Sequence, residues 1–260
     1  MDHSSNLTYY KGKKFAWLIF LNLSMRILLF FTSSLAILWS CAPARFVEPL
    51  QKGQQVITGH FGGPVAKIPG IGAIPIPFSS VGYGRGLTDQ TTVFGNLHLT
   101  SLAFGVGQFE LGASQKLWST DRMGLSGQLN TNILIDFYTG ANRIWPQLDA
   151  NYYFKYGRQW KPEQLDKMCK VYHRNYNFMY AGISNWFDFY GTESQGRPNE
   201  QLWIPSLQFG HQWIRPKWSY QAEVKILAPL ESNENIVVPY PSLLQNRGAL
   251  GLYFGITYSL

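Results

Sequence analysis

The feature that most restricts how this 260-residue chain can fold is a period-two alternation of apolar and polar residues, sustained over unusually long runs. Residues 108–117 set Phe109, Leu111, Ala113 and Leu117 against Gln108, Glu110, Ser114 and Lys116. Residues 125–137 oppose Leu125, Leu129, Ile133, Ile135 and Phe137 to Ser126, Gln128, Asn130, Asn132 and Asp136. Residues 147–156 and 218–228 repeat the pattern, with Gln147, Asp149, Asn151 and Lys155 on one polar face and Ser219, Gln221, Glu223 and Lys225 on the other. The chain ends on Leu250, Leu252, Phe254, Ile256, Tyr258 and Leu260. Successive strand side chains point to opposite faces, so each run is a strand with one apolar and one polar face. Strands of ordinary domains run about five or six residues, whereas a strand crossing a bilayer needs about 9–11.

Two architectures alternate in this way, a soluble β-sandwich and a membrane β-barrel. A sandwich buries its apolar faces and has shorter strands. Here Trp118, Trp145, Tyr156, Trp160, Trp203, Trp213 and Trp218 stand near strand ends, where a barrel carries aromatic girdles. Charged residues are 14% of the chain and aromatics 16%, too few charges to clothe a water-soluble sphere. A mean hydropathy of −0.13 excludes a bundle of several apolar helices. The net charge of +7 resembles a nucleic-acid binder's, but Lys11, Lys13, Lys14 and Arg26 against Asp2 place three of those charges in residues 1–40, and the rest form no block. No nucleic-acid partner is expected.

The expected fold is therefore all-β: a closed antiparallel transmembrane β-barrel over residues 53–260. Ten strands fit best, with eight and twelve as the neighbouring even counts. The strands are predicted at 53–62, 74–87, 91–104, 106–118, 124–138, 144–156, 174–188, 203–214, 217–228 and 247–260. Joins at 88–90, 119–123 and 215–217 are tight, while 63–73, 189–202 and 229–246 are long. Short periplasmic turns and long outer loops are the habit of such barrels, which puts both termini on the periplasmic side. One periplasmic join, 157–173, is long. There Leu165, Met168 and Tyr172 recur at helical spacing among Lys161, Lys167, Lys170 and Arg174, which predicts a short basic amphipathic helix at the membrane surface or against a partner.

Residues 1–40 read as a leader. Met25-Arg26, an alternative start, would open a signal whose apolar stretch runs from Ile27 to Leu38. The junction Leu38-Trp39-Ser40-Cys41 resembles the lipobox of bacterial lipoproteins, which implies acylation of Cys41; Trp39 departs from that pattern. An ordinary signal peptide and a retained anchor are the alternatives. The resemblance also implies a lipid in the periplasm-facing leaflet, because no acidic residue follows the cysteine. Residues 41–52 are expected to be a periplasmic linker. Gly86-Leu87-Thr88-Asp89 resembles turns recurring across bacterial outer-membrane barrels, so the chain is expected in that membrane with its lipids as partners.

Chemistry is sparse. Ser184 and His98 lie where their pairing, as in outer-membrane lipases, cannot be derived, and Asp188 has no companion acid of the kind omptin-type proteases use. Cys41 and Cys169 form no metal-spaced set, so no metal, cofactor or catalytic group is expected. His60 and His211 read as interface residues. Gly82, Gly84 and Gly86 alternate within a strand and read as sites of close packing in the lumen. Glu110, Asp136, Asp149 and Glu223, facing Lys116, Lys155 and Lys225, are expected to form a neutralising network there. The expected function is a non-enzymatic structural or accessory subunit of an envelope assembly. A narrow diffusion channel and a lipid-modifying or proteolytic barrel enzyme are the alternatives.

Overall fold

The computed structural model describes residues 42–68, 70, 72–157, 175–191, 201–233 and 239–260. Eleven strands form: β1 (Gln55–Ile68), β2 (Gly72–Pro75), β3 (Ser79–Gly86), β4 (Thr91–His98), β5 (Val106–Ser119), β6 (Met123–Asp136), β7 (Asn142–Tyr156), β8 (Tyr176–Phe187), β9 (Trp203–Ile214), β10 (Trp218–Ser232) and β11 (Arg247–Ser259). Each pairs antiparallel with its neighbour, and β11 returns to β1 from Val56↔Ser259 to Pro64↔Gly251. The ladder has no open edge. Ten strands make the closed ring, and β2 lies outside it, extending the far half of β1.

Tight turns at 87–90, 120–122 and 215–217 share one rim with residue 54 and the C-terminus; we call it the lower rim. The upper rim carries 99–105, the turn at 137–141 and the connections from β1 to β3, from β8 to β9 and from β10 to β11, whereas β7 ends and β8 begins at the lower rim. The upper turn after β6 is built by Asp136, whose carboxylate accepts the Tyr138 and Thr139 amides and the Thr139 hydroxyl, while Gly140 takes φ 72°.

The alternation sorts the side chains inside out. Leu129 is 63% exposed on the outer face, while its neighbours Gln128 and Asn130 are 2% and 1% exposed within. Trp118, Tyr156, Trp213 and Trp218 stand near the lower ends of their strands, with the Trp218 and Tyr258 rings 4.7 Å apart. Trp203 faces outward at the upper rim. Trp145 does not join them, because it pairs with inward-facing Asn132. Trp160 lies outside the described residues.

Three expectations about the elements change. The predicted strand 74–87 is two, interrupted at Ile76-Pro77-Phe78, because a proline has no amide to give to a ladder. The predicted loop 63–73 is largely strand, since β1 continues to Ile68. The predicted strand 91–104 stops at His98, and Leu99–Ala103 form one helical turn, α1, closed by Gly105 at φ 77°. A run as short as Leu99-Thr100-Ser101-Leu102-Ala103 suits either period; the helix places Leu99 and Leu102 outward and Ser101 inward, bonded to Gln108. The helix expected from Lys161, Leu165, Lys167, Met168, Lys170, Tyr172 and Arg174 lies outside the described residues, as do Cys41 and Cys169. Among those described, no helix is long and apolar enough to cross a membrane.

Candidate functional site

The largest departure from the sequence reading lies in the lumen. Residues 42–50, expected to belong to a linker (41–52) beyond the barrel, run inside it. The segment leaves β1 at the lower rim through a turn in which Gly53 donates to the Gly86 carbonyl at 2.8 Å and Gly86 donates to that of Gln54 at 2.9 Å. From there it climbs between the strands. The Leu50 amide meets Thr92 Oγ1 at 2.7 Å, and the Glu48 carboxylate takes Lys155 Nζ at 2.6 Å and the Tyr176 hydroxyl. Ser114 donates to the Phe46 carbonyl at 2.8 Å, and Gln128 donates to that of Arg45. Ala44 packs on Tyr153, Phe178 and Tyr180. Its amide donates to Glu223 at 3.0 and 3.2 Å, and its carbonyl accepts from Gln221 at 3.0 Å.

An extended strand without a ladder needs some partner for each buried amide and carbonyl. Side chains from β4, β5, β6 and β10 supply them here. Glycines supply the space. A Cβ on Gly84 would stand 2.3 Å from the Phe46 ring, and one on Gly86 would stand 2.0 Å from the Gln51 carbonyl oxygen. The Phe46 ring rests on Phe94, centroids 5.3 Å apart.

Arg45 is the polar centre of the segment. Its Nε and Nη2 both donate to Glu110 Oε2, at 3.1 and 3.0 Å, and Nη2 also reaches Ser80 Oγ at 3.2 Å. Both side chains of the pair are at most 2% exposed. Asn96 donates to the same Glu110 oxygen at 3.2 Å, and His98 Nε2 stands 3.8 Å away. Charge-assisted bonds of this kind are roughly twice as strong as neutral ones. They fix the segment to β3, β4 and β5 on one side, as Glu223 fixes it to β10 on the other.

Of the expected charge network, Glu110, Asp149, Glu223 and Lys225 are buried within. Lys225 Nζ lies 3.5 Å from Glu223, and Asp149 is held by Gln147 Nε2 at 2.9 and 3.0 Å. Lys155 turns to Glu48 of the segment instead of a wall acid. Lys116 and Asp136 stand apart from the network: Lys116 donates to the Asp89 carbonyl at the lower rim, and Asp136 caps its turn at the upper. The partner of Glu110 is thus Arg45, which was not among the expected residues. Inward acids outnumbering inward lysines, and glycines of inward parity in β3, were the available signals for it.

Ser184 accepts from Gln147 at 3.1 Å, whereas His98 stands beside Glu110, so each is engaged elsewhere. Asp188 caps Tyr190 through its backbone amide at 3.0 Å. His60, read as an interface residue, faces inward and is 9% exposed. His211 faces outward, bonded to the Tyr156 hydroxyl, with its ring 4.1 Å from Trp213. Among the described residues no group of three metal-ligating side chains converges. Beside the segment, a cleft lined by Arg45, Glu48, Thr58, His60, Arg215 and Gln221 offers about 50 Å³, room for a few waters.

No protein-family model matches the chain, and neither does any curated protein. Among solved structures it is similar to an outer membrane channel from Pseudomonas putida F1, at 8% identity and TM-score 0.44 over 84% of this chain and 99% of that one. The outer membrane protein OprG from Pseudomonas aeruginosa aligns at 10% identity and TM-score 0.29, covering 82% and 99%. Ail, the attachment invasion locus protein of Yersinia pestis, aligns at 9% identity and TM-score 0.26, covering 81% and 100%.

Proposed function

We propose that this chain is an integral outer-membrane β-barrel protein of a Gram-negative-type envelope, non-enzymatic, with its lumen held shut by its own residues 42–54. The observation that carries this reading is the inversion of burial around a closed ladder. Leucines and many aromatics face out, while carboxylates, amides and Arg45 fill much of the interior beside a small cluster of Tyr153, Phe178 and Tyr180. Closure leaves no unpaired backbone edge, which hydrocarbon demands of any spanning sheet. The lower rim is then periplasmic. Its role is structural or accessory, and exposed Phe137, Tyr138, Phe189 and Leu243 toward the upper rim give an envelope partner something to grip. The test is conductance of the purified chain in planar bilayers. A folded barrel that stays silent is expected; a steady open current overturns the sealed lumen.

A narrow diffusion channel is the second reading, and one observation favours it. The walls behind the segment are Gln108, Gln128, Asn130, Asn132, Asn151 and Gln208, a lining that water wets. Several of their amide atoms have no hydrogen-bond partner while the segment is seated, and water in an open lumen would supply one.

The expected acylation of Cys41 belongs to this reading and would anchor the end of the segment in the periplasm-facing leaflet. Intact mass of the mature chain decides whether Cys41 is its acylated first residue.

A further inference from the structure

We propose that the wall pocket of Glu110, Ser80, Asn96 and His98 is a binding site for small guanidinium-bearing cations, and that Arg45 occupies it at rest as a tethered stand-in. The proposal rests on the channel reading above and adds the class of solute. All four wall residues come from β3, β4 and β5, so the pocket belongs to the barrel whether or not residues 42–54 are seated. All four are buried.

The geometry is that of guanidinium recognition. Two adjacent N–H groups of one planar fork converge on Glu110 Oε2, and Nη2 is shared with Ser80 Oγ. An ammonium, a point charge with a freely turning set of donors, does not reproduce that fork. The remaining nitrogen, Nη1, has no hydrogen-bond partner, and neither has His98 Nε2. One donor of the fork and one ring nitrogen of the wall are thus left unbonded while Arg45 is seated, so the pocket is not matched to Arg45 alone.

Withdrawal of the segment takes Arg45 with it and leaves Glu110 in the interior without its counter-charge. An unpaired carboxylate on the wall of a narrow water-filled lumen focuses its field into that lumen, so an emptied pocket draws a cation from solution. Glu223 loses the Ala44 amide in the same step. Lys155 loses Glu48 near the lower mouth, but deeper on the wall Glu110, Asp149 and Glu223 outnumber Lys225, so the emptied lumen attracts cations over anions, with guanidinium compounds held most tightly at Glu110.

The experiment uses the full chain in planar bilayers, with potassium chloride on both sides and methylguanidinium as the probe. Arg45→Ala is expected to open a cation-selective current that the wild type lacks. Millimolar methylguanidinium should depress that current, whereas tetramethylammonium, which has no N–H to donate, should not. Arg45→Ala combined with Glu110→Gln should need at least about tenfold more methylguanidinium for half-block. Arg45→Lys is the companion variant should the alanine chain fold poorly, because it keeps a cation at Glu110 but loses the fork to Ser80. It should conduct intermittently. A folded barrel that stays silent in both variants overturns the channel reading itself. A current indifferent to methylguanidinium, or blocked equally with and without the Glu110 carboxylate, overturns the site and leaves the channel.

Discussion

The outer face and the lumen of this barrel follow opposite rules. Outside, large apolar side chains recur at every second position and no one of them depends on a particular distant partner; Leu111, Leu129 and Phe254 are interchangeable in kind. Inside, many polar side chains are bonded to a particular neighbour, often from a remote part of the chain, as Arg45 is to Glu110 or Gln208 to Asn151, although some, such as Asn130, have no such bond. A face that need only be oily tolerates change among oily residues. A face that must satisfy hydrogen bonds one by one does not.

Five substitutions, in three tests, probe that contrast. The largest effect belongs to Leu129→Arg, which puts a cation on the lipid face and should cost roughly 2–4 kcal/mol of folding stability in liposomes. Asn130→Ser, one residue along, should cost under about 1 kcal/mol, because neither amide atom of Asn130 has a hydrogen-bond partner to lose. Similar costs, measured by denaturant titration, would erase the distinction between the faces. Next comes Gly84→Val. Its methyl groups meet the Phe46 ring, an overpacking of roughly 1–3 kcal/mol. The strain should be relieved by expulsion of residues 42–54, not by unfolding. Protease should then cut that segment while the barrel keeps its heat-modifiable migration; loss of both together would mean that segment and barrel are one unit. The smallest pair lies at the rims. Asp136→Ala removes three hydrogen bonds from one turn and should cost about 1 kcal/mol, whereas Lys116→Ala, which gives up a bond to the exposed Asp89 carbonyl, should stay within about 0.5 kcal/mol. A rim lysine as costly as the turn aspartate would show that the network reaches further than its geometry does.

The same contrast explains what could be read from the residues alone. Strand parity was legible because it is local: Leu125, Leu129 and Ile133 announce their face whatever lies opposite. So was the ring of ten, since turn chemistry at 88–90, 119–123 and 215–217 is local too. Residues 42–54 carry no period, and their partners stand 42 residues away at Thr92 and 179 away at Glu223. No short window contains both ends of such a bond. The misplacement of Lys116 and Asp136 has a related cause. Parity says which face a charge is on but not how far along the barrel it sits, and both lie at the rims. Leu99–Ala103 failed for lack of length, being one turn that either period describes.

The seam between β1 and β11 carries a consequence for the order of events in time. The Gln54 side chain meets Ser259 across 205 residues of chain, and the first and last strands of the ring join nowhere else. Contacts of such separation bear a high closing entropy and come late. The ring therefore shuts only after the final hairpin is in place. Because residues 42–54 lead straight into β1, they are seated most directly before that moment. A ring that shuts with them outside has to pass them back through its lower mouth. Whatever inserts this barrel thus handles the segment and the last strand together, as two halves of a single closing step.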